Sequence, residues 1–529
     1  DLFELPFADE AFDLVLSRGV VHHTPDPEAA TRFLNPSLDH LYDPFQLADL
    51  PKAVDRLLGA VERQERIAVH GDYDVDGAPS AALLIRLIRM LGHDAGYYIP
   101  DRLLEGYGPS GDALLKIAEG GSSLIVTVDC GAMAHEALGA AHDAGVDVMV
   151  VDHHKCAPDL PKTLALVNPN RLDEIEEAAA HGHLAAVGVA FLLAIATVRT
   201  LRGRGYFEDR KEPDLLSLLD LVALGTVADV AALRGLNRAF VAQGLKVMRH
   251  RANTGMSALL DASRLQRAPV CSDLGFALGP RINAGGRVGE STLGVRLLTT
   301  EDPDEAAEIA KRLSELNEDR RQIESEVQEE AEAQLAGQGN RAVQLLHGAG
   351  WHPGVIGIVA GRIKEKTGRP AIVIAHGADG EPGKGSGRSI AGVDLGAAII
   401  AAREAGLLIA GGGHAMAAGL TVDADKIDAL ADFLDDRLAR DVGEAQGNRE
   451  MKLDLAVAPG GLTPELVDSM EEAGPYGMGW PGPRIAVGPV HAIKCDVVGK
   501  DHVRMIVRGE DGARFKAIAF RAAGGEMGQ

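Results

Sequence analysis

The sequence predicts an α/β protein whose principal domain is built on a largely parallel sheet. From about residue 31 onward, short apolar strands alternate with helical segments, which is the pattern of βαβ units. Three of the strands run directly into acidic or histidine residues, in the segments IAVHGDYDVDG, LIVTVDCG and VMVVDHH. Because the carboxyl ends of parallel strands meet at one edge of a sheet, these polar side chains are expected to gather there.

The composition is that of a globular protein with several domains. The chain has 529 residues, 46% of them hydrophobic and 4% aromatic, which predicts three or four domains of about 100–200 residues each. No uninterrupted apolar run reaches the roughly 18 residues of a membrane span. The cysteines lie far apart without a C-x-x-C pair, which argues against a thiolate zinc site. We therefore expect a cytoplasmic protein with no membrane partner.

The net charge limits the kind of nucleic-acid contact that the protein can make. The chain carries 53 basic and 77 acidic residues, a formal net charge of −24 at pH 7. A protein that binds duplex DNA without sequence preference usually presents a basic surface, and this chain as a whole does not. The charge argues against broad duplex binding and leaves room for a narrow basic groove.

Three further segments follow the first α/β region. Leu313, Leu316, Ile323 and Val327 recur at helical spacing in an acidic stretch with few helix breakers, which predicts a long connecting helix. A second α/β segment, rich in glycine, follows at about 340–440. The strand-like runs after about residue 450 predict a small β-barrel, which we expect to be incomplete because the sequence stops soon after Phe520.

The spacing H-x-x-x-D-x-D at His70, Asp74 and Asp76 is typical of a metal site. Carboxylates packed this closely repel one another unless cations lie between them. A mixed set of oxygen and imidazole ligands suits Mn²⁺ or Mg²⁺. Taken alone, each aspartate fits a turn residue equally well, and D-H-H fits a helix cap. Together with Asp129 and Asp229, the segments favour a metal-dependent phosphoesterase.

Eight motifs carry a family resemblance. GDYDVDG, VTVDCG, VDHH and GTVADV resemble the four ordered motifs of the DHH phosphoesterase superfamily. IPDRLLEGYG, GPRINAGGRVG, GSGRSI and GGGHAMAAG make the chain similar to its RecJ single-stranded-DNA exonuclease family, from about Asn35 to the end. The resemblance implies a DHH phosphoesterase domain, a connecting helix, a DHH-associated substrate-binding domain and an OB-like domain, at residues 31–303, 304–336, 337–448 and 449–529.

Residues 1–30 differ from the rest of the chain. The stretch LPFADEAFDLVLSRGVVHHTPDPEAA resembles the middle of a class I S-adenosylmethionine methyltransferase. Such enzymes hold the cofactor in a glycine-rich loop upstream of this stretch, and no upstream residues stand here. We interpret residues 1–30 as a joined, non-functional fragment.

The resemblance implies two divalent metal ions, Mn²⁺ or Mg²⁺, that share Asp129 as a bridging ligand. The ligands implied for one ion are Asp74, Asp129 and His70, with a supporting role left open for His70. The ligands implied for the other ion are Asp76, Asp129, His153 and Asp229. His154 is expected to contact the scissile phosphate, which gives the catalytic set Asp74, Asp76, Asp129 and His154. Asp72 and Asp152 are expected to orient the ligands or brace the loop.

The remaining motifs point to the substrate. Arg102, Ser386 and Arg388 match the family's pocket for a 5′ phosphate, although Arg102 alone fits an exposed arginine equally well. The residues expected to line the DNA path are Arg281, Asn283 and Arg287. In GGGHAMAAG the glycines fit either a phosphate loop or a tight turn, and the domain context favours His414 as a substrate contact. We interpret Trp480 as a packed aromatic rather than a base-stacking residue.

The implied function is single-stranded-DNA-specific 5′-to-3′ exonuclease activity in DNA recombination and repair, releasing 5′-mononucleotides. The implied partners are single-stranded DNA, a helicase and a single-strand-binding protein, and the enzyme is expected to be a monomer. One alternative is a DHH phosphoesterase that acts on short oligonucleotides or cyclic dinucleotides. The other is a catalytically dead scaffold, whose mark would be lost metal ligands.

Overall fold

A computed structural model describes residues 33–102, 104–377, 381–447, 451–499 and 501–525. The chain divides into two compact units, and each is treated separately. The larger unit comprises Tyr42–Ala231 and Gly244–Arg449. The smaller unit comprises Asp1–Leu41, Ala232–Gln243 and Glu450–Gln529. The predicted methyltransferase-like fragment lies outside the described residues.

The first sheet of the larger unit is parallel throughout, as the sequence predicted. Its strands lie in the order β2-β1-β3-β4-β5. Their bounds are β1 (Ile67–Gly71), β2 (Ala95–Tyr98), β3 (Leu124–Val128), β4 (Asp147–Val151) and β5 (Ala165–Val167). Every residue of β1 and β3 is buried, which explains why these strands read as continuous apolar runs rather than as alternating ones.

Helices cover this sheet and continue beyond it. They are α1 (Leu50–Glu62), α2 (Gly77–Met90), α3 (Gly111–Glu119), α4 (His135–Asp143), α5 (Glu176–Ala179), α6 (Ala186–Gly203) and α7 (Leu219–Ala228). Next along the chain come α8 (Gly235–Met248), α9 (Thr254–Ala262), α10 (Gly279–Val288) and α11 (Leu293–Thr299). A helical turn at Cys271–Asp273 and a π-helical turn at Leu274–Leu278 precede α10. The 3₁₀ turns are Leu38–His40, Pro44–Gln46, Leu215–Leu218, Ala424–Lys426 and Pro459–Gly461.

Helix α6 corrects the expectation that no segment is long and apolar enough to cross a membrane. By length and composition its 18 residues pass that test. Most of the helix is nevertheless buried inside the protein, where it packs against α1, α2 and α7. A helix that is apolar on all sides is typical of a domain core as well as of a membrane span.

The predicted connecting helix is α12 (Pro303–Leu335), 33 residues long. It begins where the Asp302 carboxylate accepts hydrogen bonds from the amides of Asp304 and Glu305, with proline at the first helical position. Leu313, Leu316 and Val327 are buried, and Ile323 packs beside Val327, as their spacing predicted.

The second sheet of the larger unit is mixed, with strand order β6-β7-β8-β10-β9. The strands are β6 (Gln344–Ala349), β7 (Ala371–His376), β8 (Gly383–Arg388), β9 (Ala410–His414) and β10 (Ala417–Val422). The pair β6–β7 is parallel, and the other pairs are antiparallel. Three helices accompany it: α13 (Ile356–Thr367), α14 (Leu395–Glu404) and α15 (Ile427–Gly447). This is the predicted second α/β domain.

The smaller unit holds the remaining strands. Besides the part of α8 up to Gln243, its elements are β11 (Leu455–Val457), α16 (Pro464–Glu471), β12 (Ile485–Val487), β13 (Val490–Val498), β14 (His502–Gly509) and β15 (Arg514–Ala519). Strands β13–β15 form an antiparallel meander, and β11 pairs in parallel with β12. Trp480 is a packed aromatic, as predicted, because its Nε1 donates to the carbonyl of Ala473 at 3.1 Å and its ring meets Phe33 edge-on.

A close backbone approach at Gly77 generates the first testable prediction. A Cβ on Gly77 would lie 2.4 Å from the carbonyl oxygen of Asp72, because the loop after β1 folds back onto the start of α2. We expect Gly77→Ala to lower stability by about 1–3 kcal/mol through overpacking. Gly361→Ala is the matched control, because no atom lies within 4 Å of a Cβ there.

The control substitution should raise stability by about 0.5–1 kcal/mol, since alanine is the better helix former. Denaturant titrations of the two variants and the unsubstituted protein provide the comparison. Equal effects of the two substitutions would contradict the close approach.

Candidate metal centre and substrate cleft

Hydrogen bonds of the first sheet continue past the strand ends into the acidic segments. The amide of Asp72, after β1, donates to the carbonyl of Val128 at 3.3 Å. The amide of Asp129, after β3, donates to the carbonyl of Val151 at 3.1 Å. The amide of Asp152, after β4, donates to the carbonyl of Val167 at 3.1 Å. The sheet thus sets three polar segments side by side, as the strand order requires.

The side chains of these segments, together with Asp229 at the end of α7, form what we call the acidic centre: Asp72, Asp74, Asp76, Asp129, His153, His154 and Asp229. Within it, three groups of residues could each hold a cation, because the ligand atoms of each group lie within 4.8 Å of one another. The groups are Asp129 with His153 and His154, Asp76 with His153 and Asp229, and Asp72 with Asp74 and Asp129. Asp129 and His153 each belong to two groups, so neighbouring cation positions would share ligands.

His153 presents one ring nitrogen to the centre. Its Nδ1 donates to the carbonyl of Leu184 at 3.0 Å, which leaves Nε2 as the nitrogen free to bind a cation. Nε2 lies 3.3 Å from Oδ1 of Asp129, 3.9 Å from Asp229 and 4.0 Å from Asp76. The Asn170 side chain donates to the His153 carbonyl at 2.6 Å and fixes the backbone at this point.

The carboxylates of the centre are electrostatically strained without cations. Burial, followed by the charges of Asp76 and Asp74, raises the pKa of Asp129 well above its ordinary value. Burial and the same two neighbours raise the pKa of Asp229 to about 8. Asp229 also ends helix α7, where the helix dipole disfavours a negative charge. Oxygen-rich donors that repel one another fit hard divalent cations such as Mn²⁺ and Mg²⁺.

Asp74 and Asp76 are anchored by backbone amides. Asp76 accepts hydrogen bonds from the amides of Ala186 at 2.7 Å and Val187 at 3.1 Å, at the positive end of the α6 dipole. Asp74 accepts from the amides of Asp76 at 2.9 Å and Gly77 at 3.2 Å. These bonds hold the two carboxylates against their mutual repulsion.

His154 and Asp152 form a tight pair beside the centre. Nδ1 of His154 lies 2.7 Å from Oδ1 of Asp152. Burial disfavours the imidazolium, but the hydrogen bond and charge of Asp152 outweigh it and raise the pKa of His154 to about 9. Burial is likewise outweighed at Asp152, whose bonds to His154 and to the amide of Ala132 lower its pKa to about 2. His154 is therefore a proton-bearing donor at neutral pH.

The structure places His70, for which both roles were left open, outside the three ligand groups, and Asp72 within one of them. His70 is fully buried, with Nδ1 3.7 Å from the Cys130 sulfur, and it joins none of the three ligand groups found among the described residues. Burial lowers its pKa to about 4. Asp72, expected in a supporting position, lies within ligand distance of Asp74 and Asp129.

A group of arginines, which we call the arginine cluster, lies near the centre and comprises Arg102, Arg287 and Arg388. Burial and then the charge of Arg102 lower the pKa of Arg287 to about 10. The same two causes lower the pKa of Arg388. No ion pair with a carboxylate occurs at these three side chains within the described part of the chain. Half-buried guanidinium groups that form no ion pair with a carboxylate favour binding of an anion.

The surroundings of Arg388 are shaped for such an anion. Its Nη1 donates to Oγ of Ser386 at 3.1 Å. A Cβ on Gly357 would lie 3.0 Å from Ser386 Oγ and 3.1 Å from Arg388 Nη2, so the two polar groups face the first turn of α13. A helix N-terminus supplies amide donors and a positive dipole end.

The other predicted substrate residues are dispersed. Arg281 donates to the carbonyl of Ala277 and to Ser314, and is thereby turned toward α12 rather than into the arginine cluster. Asn283 is half-buried on α10. His414 is exposed, and its Nδ1 accepts from the amide of Met416 at 3.3 Å.

A cavity of about 750 Å³ joins the acidic centre to the second sheet domain. It is lined by residues of both α/β domains, including Tyr107, Asp152, His153, His154, Lys155, Asn170, Gly413 and His414. The cavity brings His414 to the mouth of the acidic centre.

Sequence reasoning missed Tyr107 and Asn170. The Tyr107 hydroxyl donates to the carbonyl of Asp129 at 3.2 Å and lies 3.2 Å from His154 Nδ1. Its signal was its place within the EGYG part of a quoted motif. Asn170 follows β5, the outer neighbour of β4, and the rule of polar residues at strand ends would have found it.

The acidic centre predicts how pH affects the protein without metal. The pKa of Asp229 is about 8 in the folded state against an ordinary value of 3.8, so the folded state binds this proton more tightly than the unfolded state. The resulting stability is present at low pH and is lost as pH rises through about 8. We expect the metal-free melting temperature to fall between about pH 5 and pH 8, and saturating Mg²⁺ to suppress that fall.

Two matched variants test this. In Asp229→Asn the fall in the melting temperature of the metal-free protein should shrink, and in the exposed Asp209→Asn the fall should persist. Differential scanning fluorimetry across pH provides the measurement. An unchanged profile in Asp229→Asn would contradict the assigned pKa.

Family comparisons agree with this geometry. Residues 66–226 match the N-terminal domain of the DHH family, 338–440 the DHHA1 domain and 453–527 the RecJ OB domain. Residues 1–36 match a methyltransferase domain, which confirms the resemblance noted for the first segment.

Individual relatives cover most of the chain. The chain is 40% identical over 487 residues to the single-stranded-DNA-specific exonuclease RecJ of Dickeya dadantii, covering 90% of this chain and 84% of the relative. The crystal structure of RecJ from Thermus thermophilus in complex with Mn²⁺ superposes with a TM-score of 0.74 at 32% identity, over 92% of this chain and 68% of that one. Its Mg²⁺ complex gives 0.70 at 31% identity, over 92% and 66%. Because its similarity to these proteins in sequence and fold extends over most of its length, the chain belongs to the RecJ family.

Proposed function

We propose that the chain is a single-stranded-DNA-specific 5′-to-3′ exonuclease that releases 5′-mononucleotides by two-metal-ion hydrolysis. The observation that carries this proposal is the pairing of two opposite charge clusters in one unit. The acidic centre favours the binding of cations, and the arginine cluster favours the binding of an anion. Arg102 is close enough to lower the pKa of Asp72, although burial raises that pKa overall. A strand whose 5′ phosphate rests on the arginines would therefore bring its first phosphodiester toward the acidic centre.

The ligands proposed for the metal ions are Asp72, Asp74, Asp76, Asp129, His153 and Asp229. Divalent ions bound there would activate a water and neutralise charge on the scissile phosphate. His154, charged at neutral pH through Asp152, would donate a hydrogen bond to a phosphate oxygen and steady its developing charge. Water attack at phosphorus expels the 3′ oxygen, so the product carries a 5′ phosphate.

The arginine cluster would set the polarity of degradation. A terminal phosphate carries more charge than an internal diester, and planar guanidinium groups bind such dianions through paired hydrogen bonds. Ser386 and the first turn of α13 add neutral donors. An end without a phosphate would lose these contacts, so the site favours a phosphorylated 5′ end over an internal position.

The biological setting follows from the proposed substrate. A helicase would supply the unwound strand, a single-strand-binding protein would keep it open, and the enzyme would act as a cytoplasmic monomer in recombination and repair. The two alternatives are less well supported. A dead scaffold would have lost metal ligands, but the chain retains Asp74, Asp76, Asp129, His153 and Asp229. The match to the RecJ OB domain argues against an enzyme that acts on small substrates.

A labelled strand tests the proposal. We expect a 3′-labelled, 5′-phosphorylated single-stranded DNA to yield a ladder of progressively shorter labelled products in Mn²⁺. The matching blunt duplex should remain intact, because the strands of a duplex cannot enter the cleft singly. Hydrolysis of a dinucleotide alone, or of no substrate, would contradict the proposal.

Asp129→Ala should reduce the rate of strand degradation by about 10³-fold or more, because both proposed ions lose a shared ligand and the centre loses its charge balance. The exposed Asp209→Ala should leave the rate unchanged. Gel-resolved initial rates at saturating Mn²⁺ provide the measurement, and near-normal turnover in Asp129→Ala would exclude its bridging role.

Arg388→Ala should lower kcat/KM on 5′-phosphorylated strands by about 10–100-fold, the usual effect of losing a charged hydrogen bond. Activity on 5′-hydroxyl strands should change little. The control is Arg440→Ala, since Arg440 is exposed on α15 and pairs with Glu444. An equal loss on both kinds of end would argue against a 5′-phosphate pocket at Arg388.

A further inference from the structure

A second, smaller cavity borders the arginine cluster. It has a volume of about 200 Å³. The residues that line it include Asp101, Arg102, Arg287 and His352. Two of the three clustered arginines thus face a space that also borders an imidazole from the second α/β domain. His352 belongs to none of the motifs singled out in the sequence.

The hydrogen bonding of His352 fixes the position of its proton. The amide of Gly354 donates to Nδ1 of His352 at 3.0 Å, so Nδ1 is an acceptor. The neutral ring must therefore carry its proton on Nε2, which makes Nε2 a donor. Burial lowers the pKa of His352, which favours this neutral form.

The backbone around His352 is held firmly against the first α/β domain. Arg287 Nη1 donates to the carbonyl of Gly354 at 2.9 Å. A Cβ on Gly354 would lie 2.6 Å from the carbonyl oxygen of Arg287 and 2.9 Å from Nδ1 of His352, so the approach requires glycine. The preceding Trp351 is buried and donates to Glu330 at 2.7 Å. These contacts set the distance between the imidazole and Arg287.

We propose that His352 is a substrate-binding residue for the 5′-terminal phosphate, to which its Nε2–H donates a hydrogen bond beside Arg102 and Arg287. The inference rests on the proposed function, because it assumes that the arginine cluster binds a 5′ phosphate. It adds a hydrogen-bond donor, the Nε2–H of His352, from a turn that lies outside the motifs singled out in the sequence.

Charge balance explains why a neutral donor suits this position. The charged groups that face the cavity are Asp101, Arg102 and Arg287. Asp101 Oδ1 already accepts from the amide of Leu104 at 3.1 Å. A further permanent cation would add to the repulsion that already lowers the pKa of Arg287 after burial. A neutral N–H supplies a hydrogen bond to the phosphate without that repulsion.

The test compares phosphorylated and hydroxyl ends. His352→Ala should lower kcat/KM on 5′-phosphorylated single-stranded DNA by about tenfold, through a raised KM, and should change activity on 5′-hydroxyl strands by less than about twofold. His352→Gln should recover most of the loss, because its amide nitrogen can donate from the position of Nε2. The exposed His250→Ala is the matched control and should behave like the unsubstituted protein.

Competition by a 5′-mononucleotide gives a second reading of the same contact. Its inhibition constant should rise in His352→Ala and return toward normal in His352→Gln. A fall of equal size on both kinds of end, or no rescue by glutamine, would overturn the proposal in favour of a purely structural role. Melting temperatures of the variants identify any loss of folding.

Arg388→Ala separates this inference from the proposed function. If Arg388→Ala loses activity only on 5′-phosphorylated strands and His352→Ala does not, the role proposed for His352 is wrong and the 5′-phosphate pocket is retained. If neither variant shows a loss confined to 5′-phosphorylated strands, the 5′-phosphate pocket itself is wrong.

Discussion

The structure depends on the repulsion between carboxylates that the first sheet brings together. Three parallel strands end at one edge, and ladder hydrogen bonds from the amides of Asp72, Asp129 and Asp152 carry their register into the acidic segments. Asp129 adopts a left-handed conformation, with φ of 60°, immediately after β3. Such strain persists only where the surroundings fix the backbone, and it is common at functional sites. The fold thus holds negative charges closer than they would settle in solution, and divalent cations are the partners that relieve this strain.

The arginine cluster is the counterpart of the acidic centre within the same unit. Its guanidinium groups are contributed by both α/β domains, and the bond from Arg287 to the Gly354 carbonyl ties the domains together at this point. A net charge of −24 is compatible with a DNA substrate, because three guanidinium groups without carboxylate partners lie together near the acidic centre. A cleft that binds the terminal phosphate would select a strand end without reading bases.

The sequence predicted what depends on short-range order. Apolar runs predicted the strands of the first sheet, and helical spacing predicted α12. The strand-end rule predicted that Asp129 and His153 lie near Asp76, whereas Asp229, at the end of a helix, came from the family resemblance. What depends on distant packing was not predictable. His70 fits the ligand spacing, but its ring turns toward Cys130 below the site. Arg281 and Arg287 stand in one motif, yet only Arg287 reaches the arginine cluster, because the helical turn between them directs Arg281 toward Ser314. His352 was missed because Arg287, which lines the same cavity, is 65 positions away in the chain.

Metal stoichiometry tests the central claim most directly. Calorimetric titration of the metal-free protein with Mn²⁺ near neutral pH, repeated in buffers of different ionisation enthalpy, counts both bound ions and released protons. We predict two equivalents per chain with proton release, because cations displace the protons held by carboxylates of raised pKa. A single equivalent, or binding without proton release, would contradict the view that repelling carboxylates define the site.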